Sequence, residues 1–396
     1  MAKKRGQNEG TIAKRPDGSW WARITIGVDS QGRQKRKAFY GKTRADVHAK
    51  MTAALNELQI GNFVYNPKMT LGNWLVTWLN EYAINSVKHS TRVSYEMYIT
   101  KHINPFIGKV KLVDLKTDII QKFYNEKLEN GRIDGYGGLS PKTIKNIHNL
   151  LHKALDQGLE NGLINKNPTE FVQLPKITKT KMRVLYPKEH KKIIEASYTE
   201  KYGFIVRLAL ETGMRLGELT ALQWRDINLS DKSLIVSRTL NRLKNYDKSI
   251  NSKTVLVEGE PKTKNSMRSI PLSTKVIEEL KIIKVEQIKN KEIWKQGYNE
   301  KEYIFANELG KPIEPRTMQD VFKNIVAKAN IRNTNFHALR HTFATRALEA
   351  GIQSKVVSEI LGHSTVGITL DLYSHVSLDV KRDAIRKINE HLDKDL

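Results

Sequence analysis

NFHALRHTFATRAL, Asn335 to Leu348, sets two histidines and an arginine within about one turn of a segment that otherwise reads as a buried helix. His337, Arg340 and His341 stand at i, i+3 and i+4 and share roughly one face, while Leu339, Phe343 and Ala347 fall on another. Three chemistries fit such a triplet. Histidines four apart can bind zinc, although no Glu occupies the second position of the pair, as HExxH requires, and no obvious acidic third ligand follows. The two rings can instead be a satisfied structural pair. Or the arginine can grip a phosphate while a histidine donates or shuttles a proton, since a guanidinium meets two phosphate oxygens at once. The triplet leaves these open, and the rest of the chain chooses among them.

Charge narrows the choice. Lys and Arg number 67 against 42 Asp and Glu, a net charge of +25 over 396 residues. That excess points to a polyanionic partner, nucleic acid above all. A membrane surface fits less well, because neither a lipidation signal nor a basic amphipathic anchor is present. Hydrophobic residues at 39% support real cores, and the length suggests about two or three domains. The absence of cysteine excludes disulfides, thiolate catalysis and Cys-based zinc sites, and it suits a reducing cytoplasm. No run approaches the ~18 apolar residues of a membrane span. The opening MAKKRGQNEG has no apolar stretch of the kind a secretory signal needs.

The chain divides into three segments. In residues 1–62, turn signals at Asp17-Gly18 and Asp29 to Gly32 separate SWWARITIG and RQKRKAFYG, which predicts a three-strand meander. Thr43 with Asp46 three residues on then caps a helix. Arg23, Arg33, Lys35, Arg36 and Lys37 would let this small sheet enter a major groove as a β-ribbon; the bland alternative is ordinary solvated strand faces. Residues 67–170 read as all-helical. A Thr cap precedes Leu71, Trp74, Leu75, Trp78 and Leu79 at helical spacing, and Pro141 follows Ser140 as a helix start. Basic residues beside Ser or Thr at several helix starts suit phosphate contacts. Residues 171–180 read as a linker. Residues 181–396 mix long helices with short strands at SLIVSRTL, KTVLV and RSIPLS, a mostly α unit with one small antiparallel sheet.

Two further stretches bear on the triplet. In LETGMRLGELTALQW, Thr212 and Gly213 break a helix just before Arg215, and Glu218 at i+3 can hold its guanidinium. In LGHSTVGITLDLYSHV, Gly362 and His363 follow an apolar helix end, and Tyr373 lies ten residues past His363.

Taken in order, TGMRLGELTALQW, PKTKNSMRSIPL, HALRH, LGHS and TLDLYSH resemble the tyrosine recombinase (phage integrase) family, most closely integrases of Gram-positive phages and conjugative transposons. The resemblance implies a multidomain chain, mainly α with small β-sheets. An arm-type DNA-binding domain (1–62) would precede a helical, SAM-like core-binding domain (67–170) and an α+β catalytic domain (181–396). The implied reaction is metal- and ATP-independent and needs no cofactor. Tyr373 attacks a DNA phosphodiester to give a 3′-phosphotyrosine, Arg215 and Arg340 hold the phosphate, and His337 assists proton transfer or hydrogen-bonds the phosphate. His363 hydrogen-bonds a phosphate oxygen. Lys262 protonates the leaving oxygen, with Lys264 as the alternative, and His341 is structural support. The family also implies a homotetramer on synapsed double-stranded DNA with core-type and arm-type sites, an accessory excision factor and a docking helix over 380–396. The setting would be the bacterial cytoplasm, at the nucleoid. The rival readings are a topoisomerase of the same chemistry, a DNA-binding regulator with a dead site, and a metal nuclease.

Overall fold

The computed structural model describes residues 10–28, 31–59, 68–178, 182–247, 249, 251–259, 267–299, 301–371, 382, 385, 386 and 389. Lys262, Lys264 and Tyr373 lie outside the described residues, as does nearly all of the expected docking helix. The chain forms two compact units, 1–178 and 179–396. The boundary falls inside the expected linker.

In the first unit, β1 (Thr11–Lys14), β2 (Trp20–Val28) and β3 (Gln34–Gly41) form an antiparallel meander in the order β1-β2-β3. At the β1–β2 turn the Ser19 N–H donates to Asp17 Oδ1 at 3.0 Å, and Gly18 takes φ +84°, which a side chain would resist. Helix α1 (Arg44–Gln59) starts where expected, with the Asp46 N–H donating to Thr43 Oγ1 at 3.2 Å. Its Val47, Met51 and Ala54 bury against Ala22 and Ile24 of β2.

The helical part follows its caps. Thr70 accepts from the Asn73 N–H ahead of α2 (Leu71–Thr77), and Ser140 from the Thr143 N–H ahead of α6 (Pro141–Glu160). Between them lie α3 (His89–Met97), α4 (Asn104–Ile107) and α5 (Thr117–Asn130). Helix α2 runs on through a π-helical turn at Trp78–Tyr82, and α3 reaches α4 through another at Tyr98–Ile103. Trp74 and Trp78 are core, as their spacing implied. The Trp74 indole N–H donates to the Ala154 carbonyl at 2.7 Å. A Cβ at Gly158 would lie 3.2 Å from that indole nitrogen, so the glycine gives the ring its seat.

The second unit contains α7 (Pro187–Ser197), α8 (Phe204–Thr212) and α9 (Leu216–Thr220), then the strands β4 (Ile227–Asn228), β5 (Ser233–Val236), β6 (Thr239–Lys244), β7 (Thr254–Gly259) and β8 (Arg268–Pro271). Helices α10 (Thr274–Trp294), α11 (Pro315–Lys328), α12 (His337–Glu349), α13 (Ser354–Leu361) and α14 (Val366–Leu370) follow. The expected single sheet is two: β4-β5-β8 and a β6-β7 hairpin. SLIVSRTL is split between them, because Arg238 turns inward to ion-pair with Asp226 and Glu258 and ends the first strand. The core joins Leu208 and Ala209 of α8, Ile270 of β8, Phe322 of α11 and Leu339 of α12. Among the described residues no helix is long and apolar enough to cross a membrane.

Candidate active site

Two helix ends gather the charges. Helix α8 stops at Gly213, whose φ of +63° is the left-handed conformation of a glycine C-cap. A Cβ there would come within 2.6 Å of both Leu361 and Phe343, so the turn requires glycine. Helix α13 stops the same way at Gly362, φ +65°. Each end leaves carbonyls without helical partners and the negative end of the helix dipole. Arginines fill both needs.

Arg340 is only 3% exposed. Its Nη1 donates to the Gly213 carbonyl and its Nη2 to the Leu361 carbonyl, each at 2.8 Å. Arg215, in extended conformation at the start of α9, donates to the Gly362 carbonyl at 3.5 Å and to Glu218 Oε1 at 2.8 Å. Arg268, at the head of β8, donates to the Ile360 carbonyl and to Glu218 Oε2. Three successive carbonyls at the end of α13, those of Ile360, Leu361 and the C-cap Gly362, thus each take one arginine.

Glu218 is the counter-charge, 2% exposed. Burial pushes its carboxyl up, but Arg268 and then the Arg215 backbone N–H and charge outweigh burial and hold it below the ordinary range. Three guanidiniums facing one carboxylate leave the cluster positive. Burial first, then Arg215, depresses Arg340, but a guanidinium stays charged at neutral pH. The site therefore holds positive charge in a partly dry place, and an oxyanion would relieve it.

The histidines complete the ring. His337 opens α12 and packs edge-on against His341, ring centroids 4.5 Å apart. Its pKa is lowered by desolvation, then by Arg340 and Arg215. His363 sits just past α13, and desolvation with Arg340, Arg215, His341 and Arg268 lowers it to about 4. Both rings are therefore neutral at pH 7. His363 Nδ1 is 2.8 Å from Thr369 Oγ1. Beside the cluster, a cavity of about 430 Å³ is lined by Met214, Leu216, Phe322, Phe336, His337 and Arg340.

The structure thus brings Arg215, His337, Arg340 and His363 together from three places in the sequence. It adds Arg268, which the sequence analysis did not single out. The available signal was strand alternation: Ile270 of β8 is buried, and the same parity turns Arg268 inward. At the N-terminal sheet the five basic candidates separate. Register pairs Arg23 with Ala38 and Thr25 with Arg36. Arg23 and Arg36 therefore share the face opposite α1 with Trp21 and Tyr40, and Arg23 stacks over Trp21 at 5.4 Å. Lys37 pairs with Ile24 on the helix-facing side, and Lys35 follows the same parity. Arg33 precedes β3.

Comparison with known proteins fits this arrangement. Residues 183–379 match the phage integrase family, and residues 70–128 match the N-terminal SAM-like domain of phage integrases. The chain is 34% identical over 378 residues to a XerC-like tyrosine recombinase of Caldanaerobacter subterraneus subsp. tengcongensis, covering 93% of this chain and 95% of the relative. The ICEBs1 integrase of Bacillus subtilis is 26% identical over 310 residues, covering 74% of this chain and 76% of the relative. A solved Tn1549 transposon integrase in complex with circular intermediate DNA is similar at a TM-score of 0.63 and 25% identity, covering 81% of this chain and all of that one. The chain belongs to the phage integrase family and is a tyrosine recombinase, an enzyme of site-specific DNA recombination.

Proposed function

We propose that this recombinase integrates and excises a mobile element by cutting and rejoining DNA at the arginine–histidine cluster. The observation that carries the reading is the convergence of Arg215, Arg340, His337 and His363 on a net-positive site with a cavity beside it. Tyr373 supplies the nucleophile. Its oxygen forms a bond to phosphorus as the P–O5′ bond breaks, giving a 3′-phosphotyrosine and a 5′-hydroxyl. Neutral His337 takes the phenol proton, and Lys262, with Lys264 as the alternative, gives one to the leaving oxygen. Arg215 and Arg340 stabilise the charge that grows on the nonbridging oxygens, and His363 hydrogen-bonds one of them. A second strand's 5′-hydroxyl reverses the step. The phosphoester energy is conserved, so neither ATP nor metal enters the scheme.

The similarity to the ICEBs1 integrase of Bacillus subtilis and to a transposase from transposon Tn916 of Enterococcus faecalis supports the mobile-element reading. On this reading residues 181–396 are catalytic, 67–170 bind the core site and 1–62 read arm-type sites. The chain works as a homotetramer on synapsed DNA at the nucleoid, docked through residues 380–396 and assisted by an excision factor. The test is trapping on a nicked suicide substrate in EDTA. A covalent adduct whose DNA-linked peptide contains Tyr373 is expected. No adduct, or one mapped elsewhere, overturns the mechanism; strand cleavage that is lost in EDTA and returns with added metal, without a covalent adduct, would revive the nuclease alternative.

The sheet makes a separate prediction. Replacing Arg23 and Arg36 together with alanine should weaken binding to arm-type DNA and lower the slope of log affinity against log salt by roughly 1 per lost phosphate contact, while core-site cleavage persists. Lys37→Ala, on the helix-facing side, should do much less. Equal losses from the two variants in gel-shift titrations would reject the open face as the reader.

A further inference from the structure

The hydrogen bond between His363 and Thr369 carries a consequence for catalysis. Thr369 lies on α14, six residues past His363, and is 0% exposed. Its hydroxyl has one hydrogen-bond partner among the described residues, His363 Nδ1 at 2.8 Å. Two arrangements satisfy that distance. In one, Nδ1–H donates to the hydroxyl oxygen. The hydroxyl proton is then buried with no acceptor among the described residues, where no bond runs back to a backbone carbonyl of α14. In the other, the hydroxyl donates to the Nδ1 lone pair and nothing is left unpaired. A buried, unpaired donor is costly enough for the second arrangement to prevail. A neutral imidazole carries a single N–H. With Nδ1 the acceptor, that proton sits on Nε2, for which no protein partner is found among the described residues.

We propose that Thr369 is a positioning residue that locks His363 in the Nε2–H tautomer, so that the ring presents a donor to the scissile phosphate. A phosphate oxygen accepts hydrogen bonds and cannot use the other tautomer. The surroundings of His363 make the lock necessary. Burial first, then Arg340, Arg215, His341 and Arg268, disfavours a second proton on the ring, so it is not a donor on both sides. Left alone among cations, a neutral ring gains by turning a lone pair toward them, which is the wrong form for an anion. Thr369 decides the matter from the far side of the ring, as the partner of one ring nitrogen commonly fixes what the other does.

This inference rests on the proposed role of His363, and its test separates the two. Long-range ¹H–¹⁵N spectra of the full chain labelled with ¹⁵N-histidine, without DNA, report the tautomer directly; the His363 signal is assigned by its loss in His363→Ala. The wild type and Thr369→Ser should show Nε2–H, and Thr369→Val should shift toward Nδ1–H. An Nδ1–H signal in the wild type overturns the proposal whatever the enzyme does. Single-turnover cleavage then measures the consequence. Thr369→Val should lose about ten- to a hundred-fold in rate, Thr369→Ser should restore most of it, and Thr369→Val added to His363→Ala should cost nothing further. An equal loss in both backgrounds would mean that Thr369 acts through packing alone and would sink the proposal. A correct spectrum with no cleavage in the wild type would uphold the tautomer and count against the recombinase mechanism.

Discussion

Arg340→Ala is expected to lower the rate of strand cleavage by about 10²–10³-fold while leaving DNA affinity close to wild type. The rate scale is that of removing one preorganised donor from an oxyanion site. Affinity holds because most binding energy comes from phosphates spread along the duplex. The geometry makes Arg340 unusually hard to replace. Its two terminal nitrogens are spent on the Gly213 and Leu361 carbonyls, which fixes the guanidinium plane before DNA arrives. A lysine has one ammonium and cannot span both carbonyls while facing a phosphate. Arg340→Lys should therefore recover little of the lost rate, despite keeping the charge. Single-turnover cleavage of a suicide substrate with gel-shift affinities checks this. A lysine variant near the wild-type rate would mean that charge alone matters and the paired carbonyls do not.

Glu218→Ala should be the most destabilising single change in the site. Both carboxylate oxygens are used, Oε1 by Arg215 and Oε2 by Arg268 and the Arg215 N–H. Removing one member of such a buried group strands the others and typically costs about 3–5 kcal/mol. For a unit of this size that is a fall in Tm of roughly 6–20 °C. Arg215 also loses its anchor, so cleavage should fall in the molecules that remain folded. The pH dependence has a definite sign. The folded-state pKa of Glu218 lies below its ordinary value of 4.5, so its stabilisation is present above that value and is lost as pH falls through the depressed one. Calorimetry on the acid side should show a steep decline in the wild type below about pH 4.5 and a shallower one in the variant. A variant that melts with the wild type at neutral pH would remove Glu218 from the framework.

The local features of this chain were the legible ones. Thr43, Thr70 and Ser140 each cap the helix after them, because a cap depends only on the next three residues. Arg215, His337, Arg340 and His363 could be picked out only through the order of five motifs, three of which hold them, since no local rule says that α8 and α13 end beside each other. The two π-helical turns escaped because the apolar spacing runs through them unbroken. The sheet face was within reach. Parity alone separates Arg36 from Lys35 and Lys37, and treating them as one basic cluster ignored it. The bulge between Thr25 and Gly27 was not readable, since it follows from strand pairing rather than from either strand. Arg268 was not singled out because nothing in RSIPL shows that its fork meets Glu218 and the end of α13, which are distant in sequence.

Because Ile360, Leu361 and Gly362 each face a different arginine, the number of residues in α13 is fixed more tightly than their chemistry. Each added or deleted residue turns the downstream part of the helix by about 100° and slides it 1.5 Å along the axis. A single insertion in the middle of this short helix would aim all three carbonyls away at once, with every side chain of the site still present in the gene. Frame-preserving indels here should be as disabling as loss of an arginine, whereas substitutions on the exposed side, at Lys355 or Val356, should pass unnoticed.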